Sequence, residues 1–455
     1  MKKLISTLLA VVMIASLAGC GGKQPEAGSS GASGSTGATE QVNEEKNGNK
    51  TEIRFAWWGD TKRHEVYDEI CNRFEAANPD IKVIREPNSW SDYWDKLATQ
   101  TAGGNAPDVF GMHPQFVADY ARRDALAEIQ SYVDSGIIDT SKMSESVIGS
   151  GRVGGKLYMI SQGVTFTDQI VNTTLLEKFG GTVKALDADM TWADFMAEGE
   201  KVTAAAKAAG EDIYWCTDYS NVYNTFRYMA RQAGGDLYTE DGQLDFTKET
   251  VEQWFAYWKE MRDKGLIPDG AASTEDMSAS LEQKIFTQGA VCYTTAPANQ
   301  LHLYQQQMPD AVLSCARNPI GNDGARGEYI EGAHFAIANT STAEKKEAAA
   351  KLIDFFVNTE ESMELFKMEQ GVPANSEMAE YIKTLLDETM TIEIDFINAT
   401  MAVAGEGTYA PVGATEIDTA FKDAAAMVQF DEKTPAEAAE DFMKAAQAVI
   451  DKNQS

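Results

Sequence analysis

No two cysteines in this sequence stand at CxxC spacing, and its four histidines (His64, His113, His302 and His334) form no HExxH pair. Both absences argue against a zinc centre or a metalloprotease, whose ligands recur at those intervals. Positive charge is scarce as well: 39 lysines and arginines stand against 70 aspartates and glutamates, a net charge of −31, or −33 once Lys2 and Lys3 leave with the leader described below. Such a surface repels nucleic acid, which is excluded as a partner. Tryptophan stops early, since all eight fall at or before Trp258. Everything beyond offers only tyrosine and phenylalanine as flat rings. Disulfides are not needed either, because about 400 residues remain after the leader and its linker, enough for two or three units with large cores. Cys71, Cys216, Cys292 and Cys315 are therefore expected as buried thiols.

What is present begins at the N-terminus. Lys2 and Lys3 precede an apolar run over residues 4–17, shorter than the ~20 residues that cross a bilayer, and Leu17-Ala18-Gly19-Cys20 follows. This is the order of a secretory signal ending in a lipobox, with cleavage expected between Gly19 and Cys20. A diacylglyceryl group on Cys20 would hold the protein on the outer face of the cell membrane, because two acyl chains at ~0.8 kcal/mol per methylene suffice for stable anchoring. Residues 1–19 thus read as signal peptide. Residues 20–50 are rich in Gly, Ser, Ala and Thr with no apolar period, and read as a flexible tether.

The folded part opens with a strand over 51–57, a helix over 62–77 with Val66, Ile70 and Phe74 as its buried stripe, and a stop at Asn78-Pro79. A strand at 81–85, a helix capped by Ser91 and a buried strand at 107–112 follow. Alternation at this spacing predicts an α/β fold whose sheet has parallel neighbours, with ligand beyond the carboxyl ends of the strands. Further helices are predicted over 191–209, 247–264, 343–357 and 434–450, and short strands at 156–160, 291–294 and 334–338. Val251, Trp254, Phe255, Trp258 and Met261 share one helical face and read as core, and so does Trp192.

The segments "WWGD" with "RHE", "YWDKLATQTAGGNAPDV" into "FVADYARRDALAEI", "GGKLYMISQGV" before "IVNTTLLEKFG", "TWADF", "FTQGAVCYTT", "EGAHFAIANTSTAEKKEAAAKLIDFFVNTEES" and "GVPA" run in this order along the chain. In order and spacing the chain resembles the family 1 extracellular solute-binding proteins, the maltose-binding-protein-like sugar receptors of ABC importers. The resemblance implies a type II periplasmic-binding-protein-like fold of two lobes, with hinge strands and an interlobe ligand cleft. Mapped here, lobe one would comprise 51–165 plus 335–380, and lobe two 166–334 plus 381–455. Residues 163–166 would form the first crossing strand, and Ala333-His334-Phe335 would lie at the second. It also implies a monomer that passes a carbohydrate to permease subunits and uses no cofactor.

Sugars offer C–H faces to aromatic rings and hydroxyls to paired donors and acceptors. Trp57 and Trp58 point to opposite sides of their strand; both are platform candidates, with core packing the alternative for either. Trp90 and Tyr93 follow the second strand, and His113 and Gln115 the third. Asp60, Lys62 and His64 stand at the start of the first helix, as polar contacts or as a cap with first-turn charges. Tyr219 and Asn224 are candidates from the second lobe, with Asn299, Glu331 and His334 as polar partners. Relatives often carry a tryptophan after the strand that here reads Val291-Cys292-Tyr293-Thr294-Thr295. This chain continues Ala296-Pro297-Ala298-Asn299, leaving Tyr293, Tyr304, Tyr329 and Tyr409 as later platforms.

Two other readings remain open. A glycan hydrolase would need two carboxylates about 5 Å or about 6.5–9.5 Å apart across the cleft, and a ligand sensor of the same fold would look alike in sequence. No GxSxG elbow occurs, and the stretch over 150–157 lacks both the first glycine and the hydroxyl of a phosphate loop. The GxGxxA string at 405–410 has no preceding strand and reads as a turn.

Overall fold

A computed structural model describes residues 50–454. The expectations for the leader peptide, Cys20 and the tether up to residue 49 lie outside the described residues.

Eleven strands are named in chain order: β1 Thr51–Trp58, β2 Ile81–Asn88, β3 Val109–Met112, β4 Arg152–Val153, β5 Lys156–Leu157, β6 Met159–Ser161, β7 Thr167–Asn172, β8 Tyr214–Cys216, β9 Val291–Pro297, β10 Leu313–Ala316 and β11 His334–Ile337. They form a five-stranded sheet in the order β2-β1-β3-β11-β6, a four-stranded sheet in the order β10-β7-β9-β8, and the small β4-β5 hairpin. β1 runs parallel to both β2 and β3, as the alternation of strands and helices predicts, while β11 is antiparallel to β3 and β6.

β1 is buried on both faces. Ile53, Phe55 and Trp57 enter one core with Tyr67, Ile70, Cys71 and Phe74 of the helix Thr61–Ala77. Ala56 and Trp58 enter another on the opposite side. Asp60 caps that helix by accepting from the Arg63 amide at 2.9 Å, and Asn78 ends it before Pro79. The second helix begins earlier than its sequence predicts. Ser89, not Ser91, is the N-cap of Trp90–Ala102, because the Ser89 side chain accepts from the Asp92 amide at 3.3 Å.

Over the four-stranded sheet lie the helices Trp192–Ala208, Tyr223–Gln232, Lys248–Asp263, Ala414–Gln429 and Pro435–Gln454, whose apolar faces share one core. Val251, Trp254, Phe255, Trp258 and Met261 are buried there, as their spacing predicts. Cys71, Cys216, Cys292 and Cys315 are free, buried thiols, and burial pushes Cys71 and Cys292 up to about 12.

Between the sheets the chain crosses at residues 163–166, where Val164 bridges to Val372 and Thr165 to Glu331. Glycine is required beside this crossing: Gly332 and Gly371 take φ of +136° and +108°, and a Cβ on either would meet a carbonyl oxygen of Gly163 or Val164 at 2.1 and 2.3 Å. The second crossing differs from expectation. His334 and Phe335 already belong to β11 inside the five-stranded sheet, so the passage falls before them, at Glu331 and Gly332.

Candidate functional site

Aromatic side chains gather where β1, β2 and β3 end. Trp58 is the last residue of β1, Trp90 the first of its helix, and Tyr93 and Trp94 follow one turn later on the same face. His113 comes just after β3, and Phe116 lies in the helix Pro114–Arg122. Trp58 meets Trp90, Tyr93 and Trp94 at centroid distances of 5.2, 5.3 and 5.4 Å. Trp90 meets His113 at 5.5 Å and Phe116 at 6.2 Å, and Trp94 lies 4.0 Å from Phe116. The indole of Trp58 can lie on β3 only because residue 111 is glycine; a Cβ there would come within 2.7 Å of its ring.

This wall is wet on one side. Trp90 is 44% exposed, whereas Trp58 behind it is 6% exposed. The Trp94 indole N–H, like those of Trp215 and Trp258, is buried without an acceptor among the described residues. The rings desolvate His113 and lower its pKa to about 4, so the imidazole is neutral at pH 7 and can both donate and accept.

The other predicted residues divide. Trp57 is a packing residue, 1% exposed, with its indole N–H donating to His64 Nδ1 at 3.2 Å. That bond also fixes His64. Tyr93 is buried under the wall and donates to the Gly111 carbonyl at 2.5 Å. Asp60 is the helix cap and Lys62 is exposed beside it, while Gln115 stands in the first turn of Pro114–Arg122. Tyr219 donates to the Thr295 carbonyl and meets Thr294 Oγ1 at 3.1 Å, so it braces the four-stranded sheet. Asn224 is exposed on Tyr223–Gln232.

His334, fully buried in β11 with Nε2 2.9 Å from Ser150 Oγ, is a structural residue and not the polar contact its sequence position implied. Burial lowers its pKa to about 4. Asn299 and Glu331 stand at the crossing: Asn299 accepts from Thr165 Oγ1 at 2.8 Å, and Glu331 accepts from the Thr167 amide at 3.2 Å and its hydroxyl at 2.9 Å. Desolvation raises the Glu331 pKa.

Of the later tyrosines, Tyr293 and Tyr304 are core. Tyr409 packs against the Trp58 cluster, and Tyr329 carries the Arg227 guanidinium 3.9 Å over its ring. Arg227 in turn pairs with Asp236 at 2.5 and 2.9 Å, and Arg231 reaches the same carboxylate at 2.7 Å. Neither arginine was singled out from sequence, although an i,i+4 pair of them on one helix of so acidic a chain is a visible signal. Trp94 and Phe116 were missed for lack of a ligand signal of their own. A separate groove of about 260 Å³ lies between Ala414–Gln429 and Pro435–Gln454, lined mostly by alanines, Met427 and Phe442. Asp423, Lys433 and Asp441 also line it, and Phe442 is its one ring.

The profile of the bacterial extracellular solute-binding protein family matches residues 69–391. The chain belongs to this family. A maltooligosaccharide ABC transporter solute-binding lipoprotein of Streptococcus pneumoniae is 24% identical over 72% of this chain and 73% of its own. Among solved structures, a family 1 extracellular solute-binding protein of Alicyclobacillus acidocaldarius superposes with a TM-score of 0.74 at 26% identity, covering 88% of this chain and 99% of that one. A periplasmic oligogalacturonide binding protein of Yersinia enterocolitica gives 0.72 at 22% identity, over 88% and 99%. This is an ABC-type extracellular solute-binding protein with the two-lobe, type II α/β fold.

Proposed function

We propose that this solute-binding protein captures an oligosaccharide between two lobes and delivers it to the permease subunits of an ABC importer, without chemistry of its own. Lobe one is 51–165 plus 335–380 and lobe two 166–334 plus 381–455. The protein acts as a monomer, held on the outer face of the membrane through a lipid on Cys20. The observation that carries the reading is the wall of Trp58, Trp90, Trp94, His113 and Phe116, half open to solvent at Trp90. Flat, apolar and edged with hydrogen-bonding groups, it suits the C–H face of a pyranose ring. A maltooligosaccharide-binding and a diacetylchitobiose-binding relative support the same substrate class. Ligand favours closure only if it binds the closed form better than the open one, which contacts from both lobes provide.

Titration of tryptophan emission against maltooligosaccharides, chitooligosaccharides and oligogalacturonides tests the proposal. Saturable change with at least one of them is expected. Silence toward every sugar with a response to a peptide or a phosphate ester would overturn the substrate class, and turnover of any glycan would overturn the absence of chemistry.

A further inference from the structure

We propose that residues 405–409 form a latch across the cleft, and that the Tyr409 hydroxyl biases the protein toward the closed form before any ligand arrives. The inference rests on the two-lobe reading above and adds a residue that regulates its opening.

The root of the loop is fixed on the side of the four-stranded sheet. The Gly405 amide donates to the Glu328 carbonyl at 3.0 Å, and the Ile330 amide to the Gly405 carbonyl at 3.3 Å. Arg227 Nη2 donates to the Thr408 carbonyl at 2.8 Å, while the Thr408 amide donates to Asp236 Oδ2 at 3.2 Å. Gly407 has to be glycine, since a Cβ would lie 2.5 Å from Arg227 Nη2 and 3.3 Å from the Tyr329 ring. Arg227 cannot withdraw, being clamped by Asp236 on one side and stacked on Tyr329 on the other.

The tip reaches the five-stranded sheet. Tyr409 donates its hydroxyl proton to the Ser150 carbonyl, and its ring packs on the cluster that contains Trp58. Ser150 is itself tied to that sheet through His334. Beside this contact the Glu406 carboxylate lies against Gly149. A second approach across the same seam brings the Arg122 guanidinium within 2.9 Å of where a Gly242 Cβ would stand. Opening would leave the root bonds intact and break the Tyr409 to Ser150 bond. A rigid root with one breakable tip is the arrangement in which a single hydroxyl shifts a two-state population.

The test needs no ligand. Nitroxides are placed on Ile84→Cys, in β2 of the five-stranded sheet, and Val312→Cys, just before β10 of the four-stranded sheet, both exposed, in the full chain with Cys20→Ser; the four remaining thiols are buried and do not label. Pulsed dipolar spectroscopy then reads the distance. Wild type is expected to show a short-distance population that Tyr409→Phe lowers roughly two- to tenfold relative to the long one, with an unchanged urea midpoint. Tyr409→Ala should lower it further, and Gly407→Ala, which disturbs the root, should shift it the same way. Identical distributions in wild type, Tyr409→Phe and Tyr409→Ala would overturn the latch. So would a single long distance in ligand-free wild type. A latch that behaves as expected in a protein that binds no sugar would leave this inference standing and remove the proposed substrate.

Discussion

Four tryptophans surround the ends of β1 and β2, and four sit in the core over the four-stranded sheet, yet the two sets do different work. Trp192, Trp215, Trp254 and Trp258 are covered on every side: Trp254 donates to the Ser220 carbonyl at 2.8 Å and meets Trp192 and Trp258 edge-on at 5.9 and 5.5 Å. Trp57 is of the same kind. Trp58, Trp90 and Trp94 pack against one another just as closely, but although Trp58 is itself covered, Trp90 in front of it is 44% exposed and faces water. The same side chain is ballast where a helix covers it and a platform where nothing does. Composition alone cannot make that distinction.

The comparison breaks most easily at Trp254. Trp254→Ala should cost about 3–5 kcal/mol, the usual loss for a large buried ring, read as a lower urea midpoint, with sugar affinity per folded molecule unchanged. A nearly normal midpoint would show that the second set is not ballast. Asp236→Ala should cost a similar or slightly smaller amount, because it strands Arg227 and Arg231 without their shared carboxylate, and breaking a buried pair costs about 3–5 kcal/mol before relaxation toward water.

Trp90→Ala inverts the pattern. With its outer face already wet, the loss in stability should stay near 1 kcal/mol, while sugar affinity falls about tenfold or more, equivalent to about 1.4 kcal/mol. Ser89→Ala should cost about 1 kcal/mol through the lost cap, with a smaller loss of affinity as Trp90 loses its fixed position. Calorimetric titration beside denaturation separates the two readouts for each variant.

His334 gives a pH test of the buried side. Its folded pKa, about 4, lies below the ordinary value, so the unfolded chain binds more protons between about pH 6.5 and 4. Relative to His334→Gln, wild type should therefore keep its full stability above about pH 6.5 and lose on the order of 1–3 kcal/mol as pH falls toward 4. A difference independent of pH would mean that the ring is not desolvated.

Much of this was legible in the chain itself. Period and punctuation place β1, its helix, β2 and β3, because each residue there answers to near neighbours: Val66 to Phe74 mark one face, and Asn78-Pro79 ends the helix. The pleat of β1 also separates Trp57 from Trp58 correctly. The sequence points to Ser91 as the cap of the second helix, and Ser89 takes that place because its side chain accepts from the Asp92 amide. The contacts of His334 with Ser150, Thr165 with Asn299, and Arg227 with Tyr329 join residues more than a hundred positions apart or pack separate elements together. No local pattern encodes them. Tyr409 was visible only as a ring, and its direction comes from the loop that Gly407 allows to lie on Arg227.

The most direct measurement follows the indole N–H resonances of all eight tryptophans as the best-binding oligosaccharide is added. The account predicts that Trp90 and Trp94 shift strongly and Trp58 behind them less, with Trp192, Trp215, Trp254 and Trp258 unmoved. Shifts confined to the second set, or saturable binding that leaves Trp90 and Trp94 where they were, would contradict it.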